Sequence, residues 1–322
     1  MSLLARRLLM RKASAAVDVS DVFSTTLYTG TGLAQTITNG IDLAGEGGLV
    51  WIKNRSISGN MLTDTARGAH KPLYSNNTQA QEDTNSYALQ DFNSNGFSIG
   101  NGNWASENNL GSGLVSWTFR KAAKFFDVVN VSHTNGVATN ISLTGLSTLG
   151  LVVAKITNTT GDWIAWHRSL TASNNLRLNT TAAQTTTNAW LSVSSTTATI
   201  SASAPTGTYI IYAFAHDPDG IIQCGGYTGN GSTTGPTVTL GWEPQYIMVK
   251  NTTGNGDWLI YDNVRDTSNP RTYTLKANIY DAEVTTGMDV DFTATGFQIK
   301  ATDSNINTNA ATYIYLAIKK AD

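Results

Sequence analysis

Apolar runs ending in a lysine recur three times along the chain, about one hundred residues apart: Leu49-Val50-Trp51-Ile52-Lys53, Leu151-Val152-Val153-Ala154-Lys155 and Tyr246-Ile247-Met248-Val249-Lys250. After each comes a polar turn and a second strand-like run, Gly59-Asn60-Met61-Leu62, Gly161-Asp162-Trp163-Ile164 and Gly256-Asp257-Trp258-Leu259. Each unit closes on an aromatic-rich strand: Val115-Ser116-Trp117-Thr118-Phe119, Ile210-Ile211-Tyr212-Ala213-Phe214 and Ile314-Tyr315-Leu316-Ala317-Ile318. A further echo, Asn95-Gly96-Phe97-Ser98-Ile99 against Thr295-Gly296-Phe297-Gln298-Ile299, precedes the closing strand in the outer units. A period of this length fixes the structural unit. Three copies point to multiplied surface rather than to one catalytic cleft.

Each unit opens with a short strand and a Gly- and Asn-rich turn, as in Leu27-Tyr28-Thr29-Gly30-Thr31-Gly32, Val131-Ser132-His133-Thr134-Asn135-Gly136 and Gly226-Tyr227-Thr228-Gly229-Asn230-Gly231. The alternating stretches beyond, such as Thr36-Ile37-Thr38 and Thr237-Val238-Thr239-Leu240, predict a hairpin there. Thr84 to Phe92 predicts at most a short helix. Closely spaced short strands separated by turn signals predict an all-β chain: three tandem antiparallel β-sandwich repeats of jelly-roll type, preceded by a short N-terminal helical arm. The arm covers 1–20, and the repeats cover 21–126, 127–219 and 220–322.

Composition sharpens this reading. Only 14% of residues are charged, while 46 Thr and 29 Asn supply uncharged polarity suited to pleated surfaces and tight turns. A net charge of −2 leaves no basic footprint for nucleic acid. The single cysteine, Cys224, excludes an intrachain disulfide scaffold and reads as a small buried residue in the first strand of unit three. No apolar run reaches the length of a membrane span.

The N-terminal segment stands apart from the repeats. Arg6 and Arg7 interrupt its apolar stretch, so it lacks the continuous core of an export signal. As a helix it places Leu4 and Leu8 on one side with Leu9 adjacent, and Arg7 and Arg11 on another. Leucines and cations on so short a segment predict a docking arm built from Leu4, Arg6, Arg7, Leu8, Leu9 and Arg11. The rival readings are a helix lying on a membrane surface and a plain tail.

Candidate chemistry is sparse, and no catalytic residue, metal ligand or cofactor is expected. His70, His133, His167 and His216 lack metal-like spacing and read as turn or hydrogen-bonded residues. Asp217-Pro218-Asp219-Gly220 lacks the spacing of a calcium loop and reads as a linker turn. Asp289 with Asp291, and Asp281 with Glu283, share strand faces but do not recur between units, so they read as solvated faces. Asp162-Trp163 and Asp257-Trp258 could stack sugars. Their counterpart Asn60-Met61 in unit one favours turn closure and core packing instead. Trp104 lies in the polar stretch Gly100 to Asn109 and is the one candidate ligand-binding aromatic, for a glycan or a partner protein.

Asp21-Val22-Phe23-Ser24-Thr25-Thr26-Leu27-Tyr28-Thr29-Gly30, the stretch Gly40 to Arg55 and Asp64-Thr65-Ala66-Arg67-Gly68-Ala69 resemble an uncharacterised repeat domain of tailed-phage virion proteins, especially those of marine and cyanobacterial phages. Phe92 to Gly100, Ser116 to Ala122 and Phe125 to Val129 look like the same family. Unit two departs most: near Arg168-Ser169 it lacks the glycine of Arg67-Gly68, and it has no Asn-Gly-Phe. The resemblance implies a non-enzymatic, tail-fibre-like virion protein, assembled in the host cytoplasm and anchored to other virion proteins by its arm. It further implies a homo-oligomer, by analogy a trimer, that contributes to attachment at host-surface glycans. A capsid decoration protein is the alternative expectation, and a secreted glycan-binding or glycan-cleaving module a more distant one.

Overall fold

The structure, a computed structural model, describes residues 17–322 apart from 57–58, 85–86, 103–105, 172 and 188–189. Unit one contains β1 (Phe23–Thr29), β2 (Gln35–Thr38), β3 (Gly48–Asn54), β4 (Asn60–Asp64), β5 (Leu73–Tyr74), β6 (Leu89–Asn93), β7 (Gly96–Ile99) and β8 (Gly113–Arg120). They form a five-stranded antiparallel sheet ordered β1-β8-β3-β4-β5 and a three-stranded sheet ordered β2-β7-β6. The same five-plus-three arrangement recurs in unit two, β9 (Phe126–His133) to β16 (Gly207–Ala215), and in unit three, β17 (Ile222–Thr228) to β24 (Thr312–Lys319). The three-repeat all-β sandwich expected from the sequence is therefore what forms. Helix is confined, among the described residues, to single turns such as α1 (Val19–Val22).

Two expectations are corrected. The opening strands of each unit are not hairpin partners: β1 pairs with β8 while β2 pairs with β7. The Gly-rich turn carries the chain across the edge of the sandwich from one sheet to the other. The hairpin lies instead at β6–β7, where Gly96 adopts φ 126° and a Cβ would stand 2.0 Å from the Ile37 carbonyl oxygen. Gly296 repeats this approach to Val238 in unit three. Thr84 to Phe92 is not helical; it is irregular where described and ends in β6.

Strand alternation explains why the long strands are apolar throughout. On β3, Val50 and Ile52 face the unit's own three-stranded sheet, in a cluster with Ile37, Phe97 and Ile99. Leu49 and Trp51 face the opposite way, into a cluster shared by all three units. Unit three divides likewise, with Ile247 and Val249 in its own sandwich and Tyr246 and Met248 in the shared core. At the centre the rings of Phe119 and Phe214, on equivalent strands of units one and two, lie 5.4 Å apart, and Tyr246 of unit three is 6.1 Å from Phe119. Burial on both faces is thus achieved by packing units against each other, not by a third layer within each unit.

The lysine that ends each apolar strand is the last inward-pointing residue, and each is fully buried. Its ammonium group donates to a loop carbonyl of another unit: Lys155 to Thr78 at 3.3 Å, Lys250 to Thr181 at 3.0 Å, Lys53 to Ile279 at 3.1 Å. Burial pushes all three ammonium groups down to about 8. Backbone bonds follow the same order, from Gln81 N to Thr157 O, Gln184 N to Thr252 O and Glu283 N to Arg55 O. One on two, two on three and three on one closes a ring within a single chain.

Facing each lysine across the strand pair are Asn60, Trp163 and Trp258. The unit-one counterpart of Asp-Trp is therefore Gly59-Asn60, one residue earlier than Asn60-Met61. The indoles of Trp163 and Trp258 donate across the seams to Tyr74 O at 3.0 Å and Arg177 O at 2.9 Å. Asn60 does the same to Ile279 O at 2.8 Å. These tryptophans are buried seam donors, with no face left for a sugar.

The end of the second long strand carries a further seam group. Asp64 accepts from Arg67 Nε at 2.6 Å and from the Tyr212 hydroxyl of unit two at 2.8 Å. Asp262 accepts from Arg265 Nε at 2.6 Å and from the Trp117 indole of unit one at 3.0 Å. Register places His167 at this position in unit two, so the counterpart of Arg67 is Leu170, not Arg168-Ser169. His167 Nδ1 accepts from Ser169 N and Nε2 donates to Tyr315 O of unit three, which fixes a neutral imidazole; burial pushes its pKa down to about 3.

Removing one member of a buried ion pair costs about 3–5 kcal/mol, because the other charge is left uncompensated. Asp64→Ala strands Arg67 in this way. In Asp262→Ala, Glu283 remains 2.8 Å from Arg265 and still neutralises it. Denaturant unfolding of the two variants should show the larger loss for Asp64→Ala. Equal losses would contradict this reading of the two seams.

Candidate functional site

The docking-arm residues Leu4, Arg6, Arg7, Leu8, Leu9 and Arg11 lie outside the described residues, as does Trp104. The body begins by Val17–Ser20: Asp18 caps α1 by accepting from Ser20 N at 2.9 Å, and Val19 and Val22 are buried in the shared core. Val17 is the first described residue of this body.

Val17 lines a cavity of about 640 Å³. It is lined by Val17 and Val19, by Ala123 to Phe125 between units one and two, by Asp217 and Asp219 to Ile221 between units two and three, and by Lys319 and Asp322. All the unit boundaries converge here, because each five-stranded sheet starts and finishes on the same side of the ring. Four carboxylates, from Asp18, Asp217, Asp219 and Asp322, meet two ammonium groups, from Lys124 and Lys319. Lys124 lies 3.6 Å from Asp217, and Lys319 lies 3.1 Å from Asp322. The cavity therefore combines apolar walls with a net negative rim. Asp217-Pro218-Asp219-Gly220 is the linker turn expected from sequence, with Asp217 N bonded to Ile222 O.

The other sequence candidates are structural. His133 bonds Thr139 Oγ1 at 2.8 Å, His216 Nδ1 accepts from Cys224 N at 3.2 Å, and His70 is half-buried in a turn with φ 65°. No group of three or more metal-ligating side chains occurs among the described residues. Glu283 is not a solvated carboxylate: it pairs with Arg265 and, at 2.6 Å, with Arg55 of unit one. Asp291 faces Lys300 at 3.9 Å. Cys224 is fully buried, and burial holds its thiol protonated.

One buried acid escaped the sequence reading. Glu107, close to Trp104 in sequence, is 1% exposed and its Oε2 has no hydrogen-bond partner among the described residues. The backbone oxygen of Glu107 accepts from the Tyr28 hydroxyl just as that of Ile306 accepts from Tyr227. A glutamate therefore occupies a position that is apolar core in unit three, which only an alignment of the repeats through these tyrosines could have exposed. Burial, and then the negative charge of Glu82, pushes its carboxyl up to about 8. Its ordinary value is 4.5, so between these values the folded protein holds a proton that the unfolded chain has released. Stability consequently falls as pH rises through that window. Glu107→Gln removes the dependence, and its advantage in melting temperature over the parent should grow between pH 5 and pH 9. A constant difference would show that Glu107 is ionised throughout.

No curated protein matches this chain. Residues 18–321, which take in the three units and the end of the expected 1–20 arm, where Val19 is already buried in the core, match the family described as a domain of unknown function, DUF7483. The chain belongs to that family.

Proposed function

We propose that this chain is a non-enzymatic structural protein of a tailed-phage particle, a tail-fibre-like appendage held by its N-terminal arm and contributing to host-surface attachment. The observation that carries the reading is the use of the reactive side chains. The buried lysines, the Asp64–Arg67 and Asp262–Arg265 pairs, Glu283 and His167 all close seams between units, so they serve rigidity. A body so closed presents three outer sheets with Thr-, Ser- and Asn-rich faces, such as Thr36 beside Ser98 and Thr199 bonded to Asn140. Such faces can each make a weak contact with a host glycan, and Trp104 is the candidate aromatic for such a contact. Several weak contacts on one body, multiplied in an oligomer such as a trimer, combine through effective concentration. The arm supplies the attachment to other virion proteins.

Deleting residues 1–16 tests this, since it spares the buried Val19 and Val22. The truncated body should fold with an unchanged melting temperature and fail to enter particles. Normal incorporation would overturn the anchoring role. Electron microscopy of particles carrying labelled full-length protein should place the label on the tail; label spread over the head shell would replace the appendage by a capsid decoration protein.

A further inference from the structure

We infer that an open cavity on unit one, beside Phe92, receives the guanidinium group of an arginine side chain from a partner polypeptide, a group that unit three supplies to itself. The cavity, about 600 Å³, is lined by the helical turn Leu43–Glu46, by Thr65 and Ala66 after β4, and by Asp91 and Phe92 of β6. In unit three the counterpart of this place holds Arg271. Register fixes the correspondence. Phe92 pairs with Phe97 and Asp91 with Ser98, as Phe292 pairs with Phe297 and Asp291 with Gln298 on the strand Val290–Thr293. His70 N donates to Leu89 O as Arg271 N donates to Val290 O, so His70 has the backbone place of Arg271. The Arg271 guanidinium lies 4.5 Å from the centre of the Phe292 ring and donates to Asp266 O. Both side chains are buried. Burial works against the charge of Arg271, and the carboxylates of Asp266, Glu243, Asp262 and Asp291 favour it.

Unit one keeps the ring and the acids without the arginine. His70 follows Arg67 by a shorter turn than joins Arg265 to Arg271, and its ring is not among the cavity walls. Phe92 is left half-buried, and among the described residues no cation lies over it. Asp91 is exposed and has no hydrogen-bond or ion-pair partner among the described residues, because Gly100 stands where unit three has Lys300, the cation 3.9 Å from Asp291. Glu46 has a 3.9 Å contact with Arg120, and Lys121 on the wall is held by Asp127 at 3.0 Å. Two carboxylates beside an open aromatic face suit arginine better than lysine, since a planar guanidinium stacks on a ring while its edge meets a carboxylate. Unit two has Ser192 and Val193 at the positions of Asp91 and Phe92 and offers neither group. The site is independent of the arm and of the outer glycan-facing sheets.

The test titrates the isotopically labelled full chain with N-acetyl-arginine amide, which presents the side chain as a polypeptide does, and follows backbone amide shifts by NMR. Saturable shifts should appear at Ala44, Gly45, Ala66 and Asp91, with a dissociation constant on the order of 1 mM. N-acetyl-citrulline amide, of the same shape without the charge, should bind about tenfold more weakly. Asp91→Asn and Phe92→Leu should each weaken binding of the arginine compound about threefold, and Asp91→Asn should do so with an unchanged melting temperature. Equal shifts with the citrulline compound, shifts spread over other acidic surfaces, an undiminished affinity in Asp91→Asn, or no shifts would each overturn the site. Tighter binding of free L-arginine than of the blocked compound would overturn the partner polypeptide in favour of the amino acid itself.

Discussion

Everything in this fold depends on how one unit's long strand meets the next unit's loop. A strand buried on both faces must end somewhere, and here it ends in a lysine whose stem completes the core while its ammonium group bonds the neighbour's carbonyl oxygen. A buried ammonium group is costly unless its hydrogen bonds are made. Lys155 also donates to Ile156 O beside it, and Lys250 to Asn251 O. The seam therefore works only with the neighbour in place. Because each unit both gives and receives such a contact, the ring has no terminal unit, in contrast to an open array of repeats.

The shared core follows from this closure. Each sandwich covers one face of its five-stranded sheet, and the other face would be an exposed apolar surface in an isolated unit. Phe119, Phe214 and Tyr246 mark where those faces meet. Units of about one hundred residues are large enough to bury a core of their own. These units nonetheless direct the inward faces of their central long strands into a common one.

Much of this was legible in sequence. The lysine-terminated runs gave the unit, its period and the equivalence of Lys53, Lys155 and Lys250, because strand alternation and the repeat act on the same positions. The crossing from β1 to β2 was not legible: a Gly-rich turn between two alternating strands reads identically whether the strands pair or change sheets. Asn60 as the stand-in for tryptophan was missed because Met61 offered a better hydrophobic match. What the position requires is a donor N–H, a property that hydrophobicity does not record. His167 and Leu170 were hidden for a related reason, since a neutral imidazole and a leucine replace an ion pair without any common side-chain chemistry. Of the candidate site, only the arm's composition and the linker turn could be read. The cavity is assembled from segments about one hundred residues apart.

Covalent linkage of the three units frees them from identity. A homotrimer repeats one interface three times, so any substitution is imposed on all three contacts at once. Here one seam holds Asp64, Arg67 and Tyr212, another Asp262, Arg265 and Trp117, and the third a histidine and a leucine. Each could drift independently while the ring stayed shut. The result is a body in which one arrangement of sheets recurs three times while its seams differ in side-chain chemistry, so the repeat is kept in the backbone and released in the contacts.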